Sequence, residues 1–312
     1  MWRHLFPVEA SPEARELDWL FLGLLAVTVL FLVLVFVPLL YFSIKYRCGS
    51  KADRSNPSSG SDLLETGWTV FPTVIGLGLF GWGAALYFKQ QNPPANALQI
   101  QVVGKQWMWK FQHAEGAREI NELHIPTGKP VVLLMTSQDV IHDVFLPAFR
   151  VKQDVLPGKY TTEWFTPTRP GAYPLYCAEY CGTLHSKMGG RVVVMEPADY
   201  ERWLVSEGPR ATLAASGEQR YRDLGCSGCH DQRGTVRAPP LTRLFGRKVA
   251  LQDGQIVLAD ERYIRDSILL PASQIVAGYE NLMPSYQGRV SEEEIMEITA
   301  YLKSLTEGEA PP

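Results

Sequence analysis

The chain has 312 residues, a net charge of −3 and 46% hydrophobic side chains. That length suits more than one domain, and so small a charge argues against nucleic-acid binding as the main task. Of the five cysteines, four fall in two tight motifs, the pattern of metal or cofactor attachment and not of a disulfide framework; Cys48 is left over and reads as a free thiol.

After an N-terminal arm (1–18), residues 19–44 and 68–88 are apolar runs without a charge, each longer than the roughly 20 residues a membrane helix needs. Pro38 and Pro72 are tolerated in such helices. The first run is too long for a signal-peptide core and no small-residue cleavage site follows it, so two retained helices are expected. Lys45, Arg47, Lys51 and Arg54 crowd the intervening loop (45–67), whereas the arm has Arg3 and Arg15 against Glu9, Glu13, Glu16 and Asp18. The positive-inside rule makes the loop cytoplasmic and puts both termini, with everything after Phe88, on the extracytoplasmic side. The G-x-G-x-x-G string at 76–81 has no strand before it and no suitably placed acid after it, so it reads as helix packing and not as a dinucleotide site.

A Pro-containing linker (89–97) leads to a β-rich stretch, 98–197. Runs at 98–103, 131–135, 160–165 and 191–195 are rich in β-branched and aromatic residues and separated by Gly and Pro turns, which predicts a sandwich or barrel. A short helix near 198–205 and a small, polar hinge at 206–217 follow. A separate domain spans 218–306: a helix at 218–224 runs into C-S-G-C-H, and a last helix starts at Ser291 with Glu292, Glu293 and Glu294 suited to its dipole. Ile295, Ile298, Leu302 and Leu305 form its apolar face, and 307–312 is a frayed tail.

Two motifs carry chemistry. The segment 177–188 reads C-A-E-Y-C-G-T-L-H-S-K-M, placing Cys177, Cys181, His185 and Met188 together. Thiolate, imidazole and thioether are the ligand set that selects copper, and two cysteines in one short loop can bridge two copper ions in an electron carrier. Zinc accepts the same cysteines and histidine, but Met188 argues against it. A further ligand must come from elsewhere, with His113, His124 and His142 available. His142 follows an apolar strand, His113 reads as a solvated loop residue, and His124 as a strand end. Trp107 and Trp109 suit electron entry or a strand's core. The second motif, Cys226-Ser227-Gly228-Cys229-His230, is a c-type haem attachment sequence: two thiols for the vinyl groups and an imidazole for the iron. No histidine follows it, so the second axial ligand falls to Met283 or Met296, and the loop Asn281-Leu282-Met283-Pro284 favours Met283.

In this order the motifs resemble subunit II of the haem-copper cytochrome c oxidases, in the caa-type version with a fused C-terminal cytochrome c domain. The resemblance implies a two-helix transmembrane hairpin, then a cupredoxin-like β-sandwich, then an all-α class I cytochrome c domain. It implies a binuclear copper centre held by His142, Cys177, Cys181, His185, Met188 and the backbone carbonyl of Glu179, whose carboxylate approaches a magnesium or manganese ion shared with subunit I. Haem c is implied on Cys226, Cys229, His230 and Met283, electron entry at Trp107, and proton entry at Glu65. Met108 departs from the family's usual Tyr between the two tryptophans. The implied role is the electron-entry subunit of a proton-pumping oxidase, with subunit I, further oxidase subunits, an upstream respiratory donor and the lipid bilayer as partners, periplasmic redox domains and no nucleic acid. The rival readings are the electron-entry subunit of a binuclear-copper nitric oxide reductase and a membrane-anchored metal-binding assembly protein.

Overall fold

The computed structural model describes residues 6–55, 60–207, 212–231 and 238–307. The chain forms two compact units, Pro12–Pro93 on its own and Met1–Ser11 together with Pro94–Pro312.

The first unit is a helical hairpin. Uninterrupted Leu, Val and Phe give α1 (Pro12–Lys45) and α2 (Asp62–Gln90), both long and apolar enough to cross a membrane. Each outruns its apolar core because polar turns continue the helix at its ends. The Ser61 side chain caps α2 by accepting from the Leu64 N–H. The helices meet through Phe31 and Phe71, through Gly23 against Trp82, and through a Lys89–Glu16 ion pair of 2.7 Å. Within the hairpin, a Cβ on Gly76, Gly78 or Gly81 meets nothing within 4 Å. Close approach falls instead on Gly23 and Gly83.

The second unit holds the β-sandwich and the helical domain. The sandwich strands are β1 (Leu98–Lys105), β2 (Met108–His113), β3 (Arg118–Ile120), β4 (Glu122–Pro126), β5 (Val131–Ser137), β6 (His142–Leu146), β7 (Val151–Val155), β8 (Thr161–Phe165), β9 (Gly171–Cys177) and β10 (Gly189–Met195). They form two five-stranded sheets, ordered β3-β2-β1-β5-β8 and β4-β10-β9-β6-β7. Alternate residues such as Ile100, Val102, Leu133, Phe165, Val144, Leu175 and Val192 face one another in a dry core. Each large side chain buried there contributes about 1.5–3 kcal/mol. The N-terminal arm is stitched to this sandwich: Ala10 N–H donates to Ala148 O at 2.9 Å, Thr168 N–H to Ala10 O at 2.9 Å, and Arg150 to Pro7 O at 2.8 Å.

The helical domain comprises α4 (Leu213–Asp223), the one-turn α5 (Ser227–His230), α6 (Glu261–Leu269) and α7 (Glu292–Glu307), with α3 (Pro197–Ser206) leading to it. It also carries a small ribbon of β11 (Lys248–Ala250) and β12 (Ile256–Leu258), which helical periodicity does not announce. The hinge is shorter than the sequence suggests: α4 starts at Leu213, because Thr212 caps it by accepting from Ala215 N–H. Residues 208–211 of that hinge and the tail from 308 lie outside the described residues. α4 and α7 touch at Gly217, where a Cβ would lie 1.9 Å from Glu297 O, so only glycine allows the crossing. Ile264, Ile268, Ile295, Ile298 and Leu302 fill the core.

Candidate metal and cofactor sites

The donor loop hangs between two paired strands. Cys177 ends β9, Met188 directly precedes β10, and Cys177 N–H donates to Met188 O at 3.1 Å, closing the loop's base. A 3-10 turn at His185–Lys187 turns His185 back toward the cysteines. His142 arrives from another hairpin as the first residue of β6, whose Val144 pairs with Cys177.

The resulting contacts form a continuous cluster. His142 Nδ1 lies 4.0 Å from Cys177 Sγ, Cys177 Sγ 3.7 Å from Cys181 Sγ, Cys181 Sγ 3.5 Å from His185 Nδ1 and 3.7 Å from Met188 Sδ. The Glu179 carbonyl lies 3.3 Å from Cys177 Sγ, while the Glu179 side chain is exposed. Among the described residues, His142, Cys177 and Cys181 are the one group of His, Cys, Asp or Glu donors close enough to hold an ion, within 4.8 Å of one another. Sulfurs 3.7 Å apart can both lie about 2.3 Å from one ion, and again from a second ion on the opposite side. The donor set therefore fits one or two soft ions.

Electrostatics point the same way. Burial opposes a thiolate at Cys177, yet the His142 hydrogen bond and neighbouring backbone groups bring its pKa below the usual thiol range. Burial and then the adjacent Cys177 push Cys181 up. A thiolate at one cysteine thus disfavours a second at the other, an obstacle that a bound cation would remove. Burial disfavours charge on His142, but Cys177 and Asp139 outweigh it and raise its pKa. With Asp139 on Nε2, Nδ1 is the ring nitrogen that faces the cluster, and metal binding would release protons from these donors.

Supports that composition does not reveal surround the cluster. Asp139 accepts from His142 Nε2 at 2.8 Å and from Gln106 N–H at 2.8 Å, leaving Nδ1 to face the sulfurs. Gly104 lets the His142 ring lie close: a Cβ there would be 3.0 Å from Cδ2. Gly182 has φ +115° and a Cβ on it would be 2.9 Å from Gln106 Nε2. Glycines at such places were the available signal. Trp107, half-buried, donates its indole N–H to Cys181 O at 3.2 Å. Glu65 lies in the first turn of α2, in the other unit.

Two histidine expectations fail. His113 is fully buried at the end of β2, its ring nitrogens 3.0 Å from Tyr200 O–H and 2.8 Å from Glu119. His124 sits mid-strand in β4, bonded through Nδ1 to the same Glu119 and stacked on Trp203. Trp203 of helix α3 packs on both rings, leaving His113 fully buried and the His124 side chain 15% exposed.

In the helical domain, Cys226 and Cys229 flank the first turn after α4, and His230 Nδ1 is 2.9 Å from Pro239 O, which leaves Nε2 free. These residues line a cavity of about 480 Å³ with Leu241, Ile268 and Met283. Its apolar walls, two thiols, imidazole and thioether suit a haem. Met296 is buried elsewhere, lining a smaller cavity against the sandwich.

Comparisons with known proteins match this layout. Residues 1–80 match the family profile "Cytochrome C oxidase subunit II, transmembrane domain", 117–196 "Cytochrome C oxidase subunit II, periplasmic domain", and 212–302 "Cytochrome C oxidase, cbb3-type, subunit III". Cytochrome c oxidase subunit 2 of Alkalihalophilus pseudofirmus is 30% identical, with 95% of this chain and 90% of the relative covered. The Thermostichus vulcanus protein of the same name is 32% identical over 64% of this chain and 77% of its own length. A crystal structure of the periplasmic domain of subunit II of the Bradyrhizobium japonicum cytochrome oxidase is 28% identical, covering 37% of this chain and 96% of that one, with a TM-score of 0.36. Copper and haem binding, membrane residence and a place beside other oxidase subunits accompany this match. With the donor loop inside one matched stretch and the haem motif inside another, the chain belongs to the cytochrome c oxidase subunit II family.

Proposed function

We propose that His142, Cys177, Cys181, His185, Met188 and the Glu179 carbonyl hold two copper ions, and that Cys226, Cys229, His230 and Met283 hold one haem c. The chain is the electron-entry subunit of a haem-copper oxidase, and the two groups supply one-electron carriage between an upstream donor and subunit I. The observation that carries the copper reading is the cluster in which two imidazoles, a thioether and a carbonyl lie 3.3–4.0 Å from a pair of cysteine sulfurs.

The chain's own residues prepare that transfer. Burial of Cys177, Cys181 and Met188 excludes water, which limits reorganisation when charge changes. Asp139 fixes the His142 ring, and the Trp107 indole rests on the donor loop at Cys181, the position proposed for electron entry. Glu179 offers its exposed carboxylate outward, which supports a magnesium or manganese ion shared with subunit I. Glu65, in the capped first turn of α2, is the proposed proton-entry acid. The arm 7–11 is hydrogen-bonded to the sandwich, which supports both termini lying on one side of the membrane, the periplasmic side by the charge of the 45–67 loop.

Metal analysis of the purified complex, with near-infrared absorption and electron paramagnetic resonance, tests this. Beyond the haem and copper of subunit I, two copper ions and one covalently attached haem per chain, with a mixed-valence copper band, are expected. A single copper, or zinc in its place, would sink the binuclear reading.

A further inference from the structure

The helical domain meets the sandwich along a polar seam. α7 lies against β1: Gln101 Nε2 donates to Met296 O at 3.3 Å, Lys303 Nζ to Gln99 Oε1 at 3.3 Å, and Arg118 pairs with Glu297. A cavity of about 210 Å³ lies in the seam, lined by Gln101, Tyr160, Met296 and Lys303 among others. Gln101 Oε1 and the Tyr160 hydroxyl are buried there without a protein partner among the described residues. Such a seam has the character of a transient interface more than of a shared core.

One contact reaches further. Glu293, in the first turn of α7, pairs with Lys110 at 2.6 Å and accepts from Gln138 Nε2. Both partners belong to the sandwich: Lys110 is in β2, and Gln138 follows β5. The Gln138 N–H donates to Gly104 O at 3.0 Å. Gly104 is the residue against which the His142 ring lies, and the next residue, Asp139, holds the Nε2 of that ring at 2.8 Å. Gln138 therefore adjoins both supports of His142, one through a hydrogen bond and one through the chain. The Lys110 and Glu293 side chains are 28% and 15% exposed, so solvent screens their pairing weakly.

We propose that Glu293 is a positioning residue: through Lys110 and Gln138 it seats the haem domain on the sandwich and, in the same contact, fixes the supports of His142. The geometry of the copper site would then register whether the haem domain is docked. This rests on the copper and haem assignment above.

The test uses the complete oxidase carrying Glu293→Ala, Glu293→Gln or Gln138→Ala, and Lys110→Glu alone and combined with Glu293→Lys. Haem content and amide protection of α7 verify folding, and Gln138→Ala probes the same link from the sandwich if an α7 variant misfolds. The readouts are the copper near-infrared and paramagnetic resonance spectra, and the rate of electron transfer from haem c to copper after flash reduction. For Glu293→Ala a shifted copper spectrum and a rate lower by about tenfold are expected, with Glu293→Gln in between. The charge-swapped pair should recover the rate to within about threefold of wild type. A slower rate with an unchanged copper spectrum in every variant would overturn the link to His142, as would wild-type behaviour throughout. An unsubstituted complex without a copper signal would sink the functional reading instead, so the two failures are separable.

Discussion

In the sandwich, the donors of the proposed copper site already touch one another and are tied to β6, β9 and β10. In the helical domain, the residues proposed to hold haem surround an apolar cavity of about 480 Å³ at the heart of a small core. Cys177, Cys181 and Met188 belong to the sandwich core, most of which packs without them, whereas the smaller helical core is built around its cavity. Cofactor loss should therefore be tolerated in the first and not in the second.

The sharpest way to break that contrast is to prevent haem attachment with Cys226→Ala plus Cys229→Ala. Without haem, the apolar lining of this cavity is left to water in a core too small to spare it. Hydrogen exchange should show α6 and α7 losing protection while β9 and β10 keep theirs, and copper chelation should leave both pairs protected. Full protection of α7 without haem would refute the contrast.

Within the helical domain the two methionines sharpen it. Met296→Ala removes a fully buried side chain and should cost about 2–5 kcal/mol in denaturant unfolding, with the haem spectrum unchanged. Met283→Ala should do the reverse: a modest stability change, loss of the sulfur–iron absorption band and a lower reduction potential. A normal band in Met283→Ala would remove it from the ligand set.

In the sandwich, Asp139→Ala leaves the donors in place and removes the partner of His142 Nε2. Copper affinity, read by competition with a chelator, should fall by about 10–100-fold. Unchanged affinity would mean that the ring is held by packing against Gly104 and Trp109 alone.

The same two regions differ in how far the sequence exposes them. The copper loop is legible because four donors lie within 177–188, and the haem motif because attachment and ligation are contiguous. Its place after an apolar strand favours His142 over His113 and His124, but spacing alone does not fix it as a donor, since strand pairing brings it in from 35 residues away. His113 was misread as solvated because its cover, Tyr200, lies 87 residues on. The α7 acids satisfy the dipole rule locally, yet Glu293 and Glu297 also pair with Lys110 and Arg118 far along the chain. In each case a local rule describes the element and a non-local contact decides the residue's role.

The smallest expected effect lies where the sandwich carries charge away from its metal donors. Glu119 joins His113 and His124 beneath α3 with its side chain 8% exposed. Burial works against its charge, but hydrogen bonds from both imidazoles and from His124 N–H win and hold its carboxyl below the ordinary value of 4.5. A carboxyl whose pKa is lower when folded contributes stability that is complete above the unfolded pKa and lost as the pH falls through the folded one. Glu119→Gln should therefore destabilise the sandwich by about 1–3 kcal/mol at pH 7, and the gap from wild type should close as the pH drops below 4.5. Because none of the proposed copper or haem ligands belongs to this cluster, the gap should survive chelation. A penalty that is the same at acid and neutral pH would assign Glu119 a packing role and remove its charge from the account.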